Sequence, residues 1–183
     1  MKIFRLSLLT IATMLVLSGC FSIPLGDGKS MKIGKDGLTF KDEDGAETSI
    51  TVDKEGQGIK VQSDEEDIDM SVGYGAEIPE SFPEDIPLAQ DAVIFQSVSS
   101  NSGDWIFYRT NTDFDELKDA YQNYYESKFQ GDFETSDILN ISDELGHFAF
   151  NGKTGDLIIQ TTISQVKGEQ VQVQIIVQYE NYD

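Results

Sequence analysis

The sequence predicts an α+β chain in which a small β-meander precedes an antiparallel sheet of about five strands, ordered β-β-α-β-β-β, with one helix packed on one face. Three observations predict it. Short period-two segments separated by Asp-Gly and Gly-rich turns fill residues 31–62, helical spacing appears once, after Asp113, and a strictly alternating run closes the chain.

The meander comprises Met31-Lys32-Ile33, Leu38-Thr39-Phe40, Ser49-Ile50-Thr51-Val52 and Ile59-Lys60-Val61. Between them lie Asp36-Gly37, Asp44-Gly45 and Glu55-Gly56-Gln57-Gly58, and Asp-Gly suits the positive φ of a tight hairpin. Lys35-Asp36-Gly37-Leu38-Thr39-Phe40 echoes Lys54-Glu55-Gly56-Gln57-Gly58-Ile59-Lys60-Val61. With few large apolar side chains, such a piece is marginal alone and is expected to lean on the next domain or stay partly mobile. Residues 63–87 read as an acidic, proline-bearing connector. Ser63-Asp64-Glu65-Glu66-Asp67 opens it, Ile68, Met70 and Val72 alternate as one further strand, and Pro79, Pro83 and Pro87 then remove backbone donors.

Residues 88–183 read as the main domain, long enough to bury a core. Ala92 to Val98 and Trp105 to Thr110 are β-prone and joined by the loop Ser99-Ser100-Asn101-Ser102-Gly103. The helix follows, capped by Asp113 with Glu116 three residues on, or by Thr112. Phe114, Leu117, Tyr121, Tyr124 and Lys128 form its stripe, with Ala120 and Tyr125 beside it, and Gly131 ends it. Gly146 to Phe150, Asp156 to Ser164 and Glu169 to Tyr179 complete the strands. In the last, Val171, Val173, Ile175, Val177 and Tyr179 share one face, and Gln170, Gln172, Gln174 and Gln178 the other.

The N-terminus places the chain in the cell. Lys2 and Arg5 precede the apolar run Leu8 to Leu17, which ends in Ser18-Gly19-Cys20. The run is too short for a spanning helix, which needs about 20 apolar residues, and reads as a secretory signal over residues 1–19. Leu17-Ser18-Gly19-Cys20 resembles the lipobox of bacterial lipoproteins, whose cysteine receives a diacylglyceryl group before cleavage on its N-terminal side. Cys20 is the only cysteine, so an exported chain has no intramolecular partner for it, which independently favours lipidation over a disulfide. Two or more acyl chains make such attachment durable. The expected location is a membrane, lipid-anchored and facing the extracytoplasmic side. In a host with two membranes the outer one fits, since Phe21 replaces the Asp typical of inner-membrane retention. Residues 20–30, with Pro24, Gly26 and Gly28, read as a lipidated tether.

The C-terminal region also resembles a recurring kind of small, uncharacterised exported lipoprotein module. In it a Phe-Pro-x-Asp-x-Pro stretch (here Phe82-Pro83-Glu84-Asp85-Ile86-Pro87) precedes a strand pair, a helix with a Tyr-rich centre (Tyr121, Tyr124, Tyr125) and a strand meander. The resemblance covers roughly residues 78–180, implies an α+β fold and an anchored context, and implies no activity.

Charge and chemistry narrow the function classes. The formal charge is −20, and loss of residues 1–19 removes Lys2 and Arg5 but no acid, leaving −22. Such a surface opposes nucleic acid and anionic headgroups. His147, the only histidine, alternates with Phe148 and Phe150 and reads as an outward strand residue; no Gly-x-Ser-x-Gly elbow accompanies it. One histidine and a lipidated cysteine make zinc a poor fit, and no phosphate-cradling loop precedes a helix, so no cofactor is expected. Asp42 to Glu47 and Asp64 to Asp69 offer oxygen donors for weak Ca2+ binding without matching the twelve-residue calcium loop. Trp105 and Tyr125 are the expected exposed aromatics of a partner surface. The glutamine face of the last strand reads as solvated or as an edge for partner pairing. The expectation is therefore a non-enzymatic binding module for a protein or envelope ligand; the alternative is an envelope hydrolase using acidic residues.

Overall fold

The computed structural model describes residues 21–35, 37–52, 58–64, 67–137 and 145–180. Twelve strands are present: β1 (Phe21–Gly26), β2 (Lys29–Ile33), β3 (Gly37–Lys41), β4 (Glu47–Val52), β5 (Gly58–Ser63), β6 (Ile68–Gly73), β7 (Val93–Ser100), β8 (Gly103–Thr110), β9 (Phe133–Asp137), β10 (Leu145–Thr154), β11 (Leu157–Val166) and β12 (Val171–Tyr179). A single helix, α1 (Phe114–Phe129), accompanies them among the described residues. All twelve strands belong to one sheet, ordered β1-β2-β3-β4-β5-β6-β7-β8-β12-β11-β10-β9, and every pairing is antiparallel.

This corrects the expected fold class. The chain is mostly antiparallel β, one twelve-stranded sheet with a single short helix, and not a meander set apart from an α+β sheet of five strands. The joint is β6, whose Asp69 to Val72 pair with Ser99 to Gln96 of β7. An open meander edge leaves a row of N–H and C=O groups unpaired, and joining it to β7 satisfies both edges. The acidic run before β6 and the prolines after it have the composition of a connector, yet β6 carries the sheet between them. Residues 21–30 are likewise no plain tether. They form β1 and its hairpin into β2, where Asp27 (φ 51°) and Gly28 (φ 79°) supply the two positive φ values of a primed turn. Pro24 sits in this edge strand, beside the irregularity between Pro24 and Gly26. The β9 edge, Phe133–Asp137, carries no strong period-two signal and was also not expected.

The core lies where α1 crosses β10, β11 and β9. Asp113 caps the helix, its carboxylate accepting from the amides of Asp115 (2.9 Å) and Glu116 (3.4 Å), so Thr112 is not the cap. Leu117, Tyr121, Tyr125 and Phe129 form the buried row, advancing by four residues. Facing them are Ile106 and Tyr108 of β8, Val173 and Ile175 of β12, Ile159 and Ile163 of β11, and Phe148 and Phe150 of β10. Gly152 admits the end of the row: a Cβ there would stand 2.6 Å from the Phe129 ring. The connector contributes too. Phe82 and Ile86 are core residues, each held in a turn closed to Pro79 or Pro83, and Asp85 pairs with Lys128 at 2.5 Å. The Phe-Pro-x-Asp-x-Pro stretch thus fastens the connector to the helix.

Asp91 ties the end of β8 to the start of α1. Its carboxylate accepts from the Thr110 hydroxyl, from the Asn111 amide at 2.9 Å and side chain at 3.1 Å, and from the Thr112 hydroxyl at 3.1 Å. These donors, led by Thr110 and the Asn111 amide, hold its pKa down to about 2.

Two outcomes are expected. Gly152→Val drives a side chain into the Phe129 ring and costs about 1–3 kcal/mol by overpacking, measurable as a lower urea midpoint at unchanged m-value. Because the Asp91 pKa is lowered on folding, the stability it contributes is present above its ordinary value near 3.8 and is lost as pH falls towards 2. Asp91→Asn should therefore be less stable than the parent at neutral pH and should lose less on acidification across that window, as followed by thermal unfolding.

Candidate functional site

Directly paired residues of an antiparallel sheet point to the same face, so the registers sort the side chains across all twelve strands. One row runs Ile33, Leu38, Ile50, Val61, Met70, Val98, Trp105, Ile176, Gln160, Asn151 from β2 to β10. It is apolar from β2 to β8 and turns polar beyond β12. A row on the opposite face runs Thr51, Lys60, Ser71, Ser97, Ile106, Ile175, Thr161, Phe150 from β4 to β10. It is polar as far as β7 and then lies in the core. The apolar face of the sheet therefore changes sides at β7 and β8.

The two halves differ in cover. In the C-terminal half the apolar face lies under α1 and the connector. In the N-terminal half the apolar face is the opposite one and is bare: Val52 is 50% exposed, Ile59 48%, and Ile33, Phe40 and Val72 are exposed as well. No charged residue occupies this face at the paired positions of β3–β6. Its hydroxyls Thr48 and Ser63, at the paired ends of β4 and β5, bond each other at 3.3 Å. Towards β8 the surface becomes aromatic. Tyr74, 62% exposed, meets Phe95 edge to face at 5.7 Å, and the Arg109 guanidinium lies 4.7 Å over the Phe95 ring.

Trp105 belongs to this face, half-buried between Val98 and Ile176 in the row. Tyr125 does not. It is fully buried, stacked on Phe150 at 5.0 Å, with its hydroxyl donating to the Ile159 carbonyl at 3.1 Å and sharing a bond with Thr161 Oγ1 at 3.1 Å. Its neighbour Tyr124 is only half-buried. The stripe read as Tyr121 and Tyr124 is turned by one residue, because the buried row advances by four from Leu117 to Phe129, an inclined ridge that the sheet accepts. The glutamines of β12 are not an edge, since β12 lies between β8 and β11. His147 faces away from the core, opposite Ser164. Cys20 lies outside the described residues.

A polar groove of about 370 Å3 lies on the other face of the N-terminal half, between the connector and β5–β7. Lys60, Asp69, Glu77, Ser81, Ser97 and Ser99 are among its walls. Two of its charges engage each other: Asp69 accepts from Lys60 at 3.0 Å, and also from Gln62 at 3.0 Å. Nearby, the buried Asp104 accepts from Ser81 at 2.8 Å. Of the acids expected to offer oxygen donors to calcium, Glu65 and Glu66 lie outside the described residues, and two others are engaged locally. The Asp42 carboxylate accepts from three amides of its own turn, those of Asp44, Gly45 and Ala46, and Glu47 pairs with Lys41 at 3.1 Å. Among the described residues no three His, Cys, Asp or Glu side chains converge as a metal site, and no helix is long and apolar enough to cross a membrane. No protein-family model matches the chain, and no curated protein or solved structure matches it.

The tyrosines under α1 carry a measurable signature. Tyr108 and Tyr121 share a bond at 3.1 Å, and burial pushes the pKa values of Tyr108, Tyr121 and Tyr125 above the ordinary phenol value. A raised value in the folded state means that this stability is complete below about pH 10 and is lost above it, by up to about 1.4 kcal/mol per pH unit for each tyrosine. Alkaline titration should show these phenols ionising together with unfolding.

Proposed function

We propose that the protein is a membrane-anchored extracytoplasmic lipoprotein, held by lipid on Cys20, that acts as a non-enzymatic binding module. Its contact surface is the bare apolar face of β2–β8, rather than the outer face of the C-terminal strands, which is polar. The observation that carries the binding reading is that this face is extensive, uncharged at its centre and uncovered. Soluble proteins rarely leave contiguous apolar area larger than a few hundred Å2 exposed, and larger patches mark contact sites. The lipobox-like Leu17-Ser18-Gly19-Cys20 supports the anchoring, since Cys20 directly precedes β1 in the chain. The acidic composition, −22 after removal of residues 1–19, favours a module that hangs from its lipid and stands off an anionic surface.

Anchoring is tested on the full-length chain in its host or a bacterial host. Labelled palmitate should enter the protein, and Cys20→Ser should abolish the label and release the chain from the membrane fraction. Label retained in the variant, or a parent chain that never acquires it, overturns the anchoring.

A further inference from the structure

We propose that the bare face of β2–β8 is covered by a second copy of this chain, the two sheets packing face to face as a sandwich. The inference rests on the binding reading of that face and names its partner.

Area and chemistry both point to another sheet. Strands lie about 4.8 Å apart and run about 18 Å, so the seven strands β2–β8 present roughly 600 Å2 per copy. Two copies then bury on the order of 1,200 Å2, at the lower end of the range of specific interfaces. The side chains are those of a sandwich interior. The exposed Val52 and Ile59 and the half-buried Ile50 and Val61 are β-branched and share one pleated face, and stacked sheets of this kind interdigitate about 10 Å apart. A two-fold contact requires a patch that complements itself, and a centre without charge meets its own copy with no like-charge opposition. The Thr48–Ser63 bond satisfies one of the two hydroxyl donors on this face and so lowers the cost of covering it.

The remaining geometry permits it. α1 and the connector cover the opposite face of the sheet, so nothing described obstructs the approach. A two-fold axis lying in the interface along the strand order places both β1 strands at one end. Two lipid-bearing cysteines then reach the same membrane, with both helical ends away from it. Beyond β8 the facing positions are Gln174, Ile176 and Gln178, which end the apolar contact.

The test uses single cysteines in the full-length chain, in membranes, where the acylated native thiol does not react. Ile50→Cys, at the centre of the face, should give a disulfide-linked dimer on mild oxidation. Lys60→Cys on the opposite face should not. In parallel, the secreted chain with Cys20→Ser is examined by sedimentation velocity. It should dimerise, and adding Val61→Glu should weaken association by about a hundredfold or more, since a buried unpaired charge is strongly disfavoured. Circular dichroism of the Val61→Glu form establishes that it remains folded; if it does not, Ile59→Glu, nearer the rim, replaces it. A monomer at high micromolar concentration with no Ile50→Cys cross-link overturns the dimer. So does binding of the monomer to phosphatidylcholine vesicles that Val61→Glu abolishes, or an Ile50 cross-link to a different protein, and either of these leaves the binding reading of the face standing. A failed palmitate experiment touches only the anchoring, because sedimentation is read without lipid.

Discussion

The structure depends on one constraint: in an antiparallel sheet, residues paired across strands share a face, so the register of each hairpin hands the polarity of one strand to the next. From β1 to β8 every strand bonds to its sequence neighbour, and the apolar row passes unbroken from Ile33 to Trp105. Polarity cannot change face inside such a meander without a strand that is apolar on both sides or a slip of one residue. β7 and β8 meet the first condition. Ile94, Ile106 and Tyr108 look into the core while Val98, Trp105 and Phe107 look the other way. The extra residue in β7 between Ile94 and Gln96 turns Phe95 to the aromatic side, where Tyr74 and Arg109 hold it. The inversion of the sheet is thus built into two strands and one bulge.

Much of this was legible in the sequence, strand by strand. The segments at Met31, Leu38, Ser49 and Ile59 are strands, Asp113 caps the helix, and the alternation of Val171 to Val177 marks a strand whose apolar side is buried. What the sequence does not carry is which face of one strand meets which face of another. Period two says that Ile50 and Val52 share a side, and it is silent on whether that side is the one under α1. The same gap explains Tyr125. Helical spacing admits both a three-and-four stripe through Tyr124 and a pure four-residue row through Tyr125. The choice belongs to the opposing surface, where Gly152 opens space for Phe129 and Thr161 and the Ile159 carbonyl receive the Tyr125 hydroxyl. The Asp27-Gly28 hairpin was readable as a turn. Pro24, Gly26 and Gly28 around it suit a tether equally well.

The acidic run and the three prolines look like a domain boundary, and their physical role is different. Prolines 79 and 83 accept from the amides of Phe82 and Ile86, closing two turns that press those side chains into the core. Asp64 and Asp67, which precede β6, lie in turns and stay solvated. A composition shift reports where backbone ladders stop, and a connector that packs its few apolar residues tightly is still part of the core.

The two halves stand on unequal supports. The C-terminal half is closed by the one pairing of distant neighbours, β8 with β12, and by α1 above it, so its burial reaches 0% at Ile106, Tyr121 and Ile175. The N-terminal half has no described residue buried to that degree, and it joins the rest through the four residue pairs of β6 with β7. A single-layer meander is marginal in water, since its backbone bonds are open to solvent on one side and its apolar side chains gain little from burial. Local opening should therefore begin at β1 and travel towards β6. A layer laid on the bare face would bury Ile50, Val61 and their neighbours and protect the hydrogen bonds of β3–β5 beneath them. Cover and rigidity in this half are the same physical event: whatever occupies the apolar face also decides how firmly the segment between the anchor and the core is held.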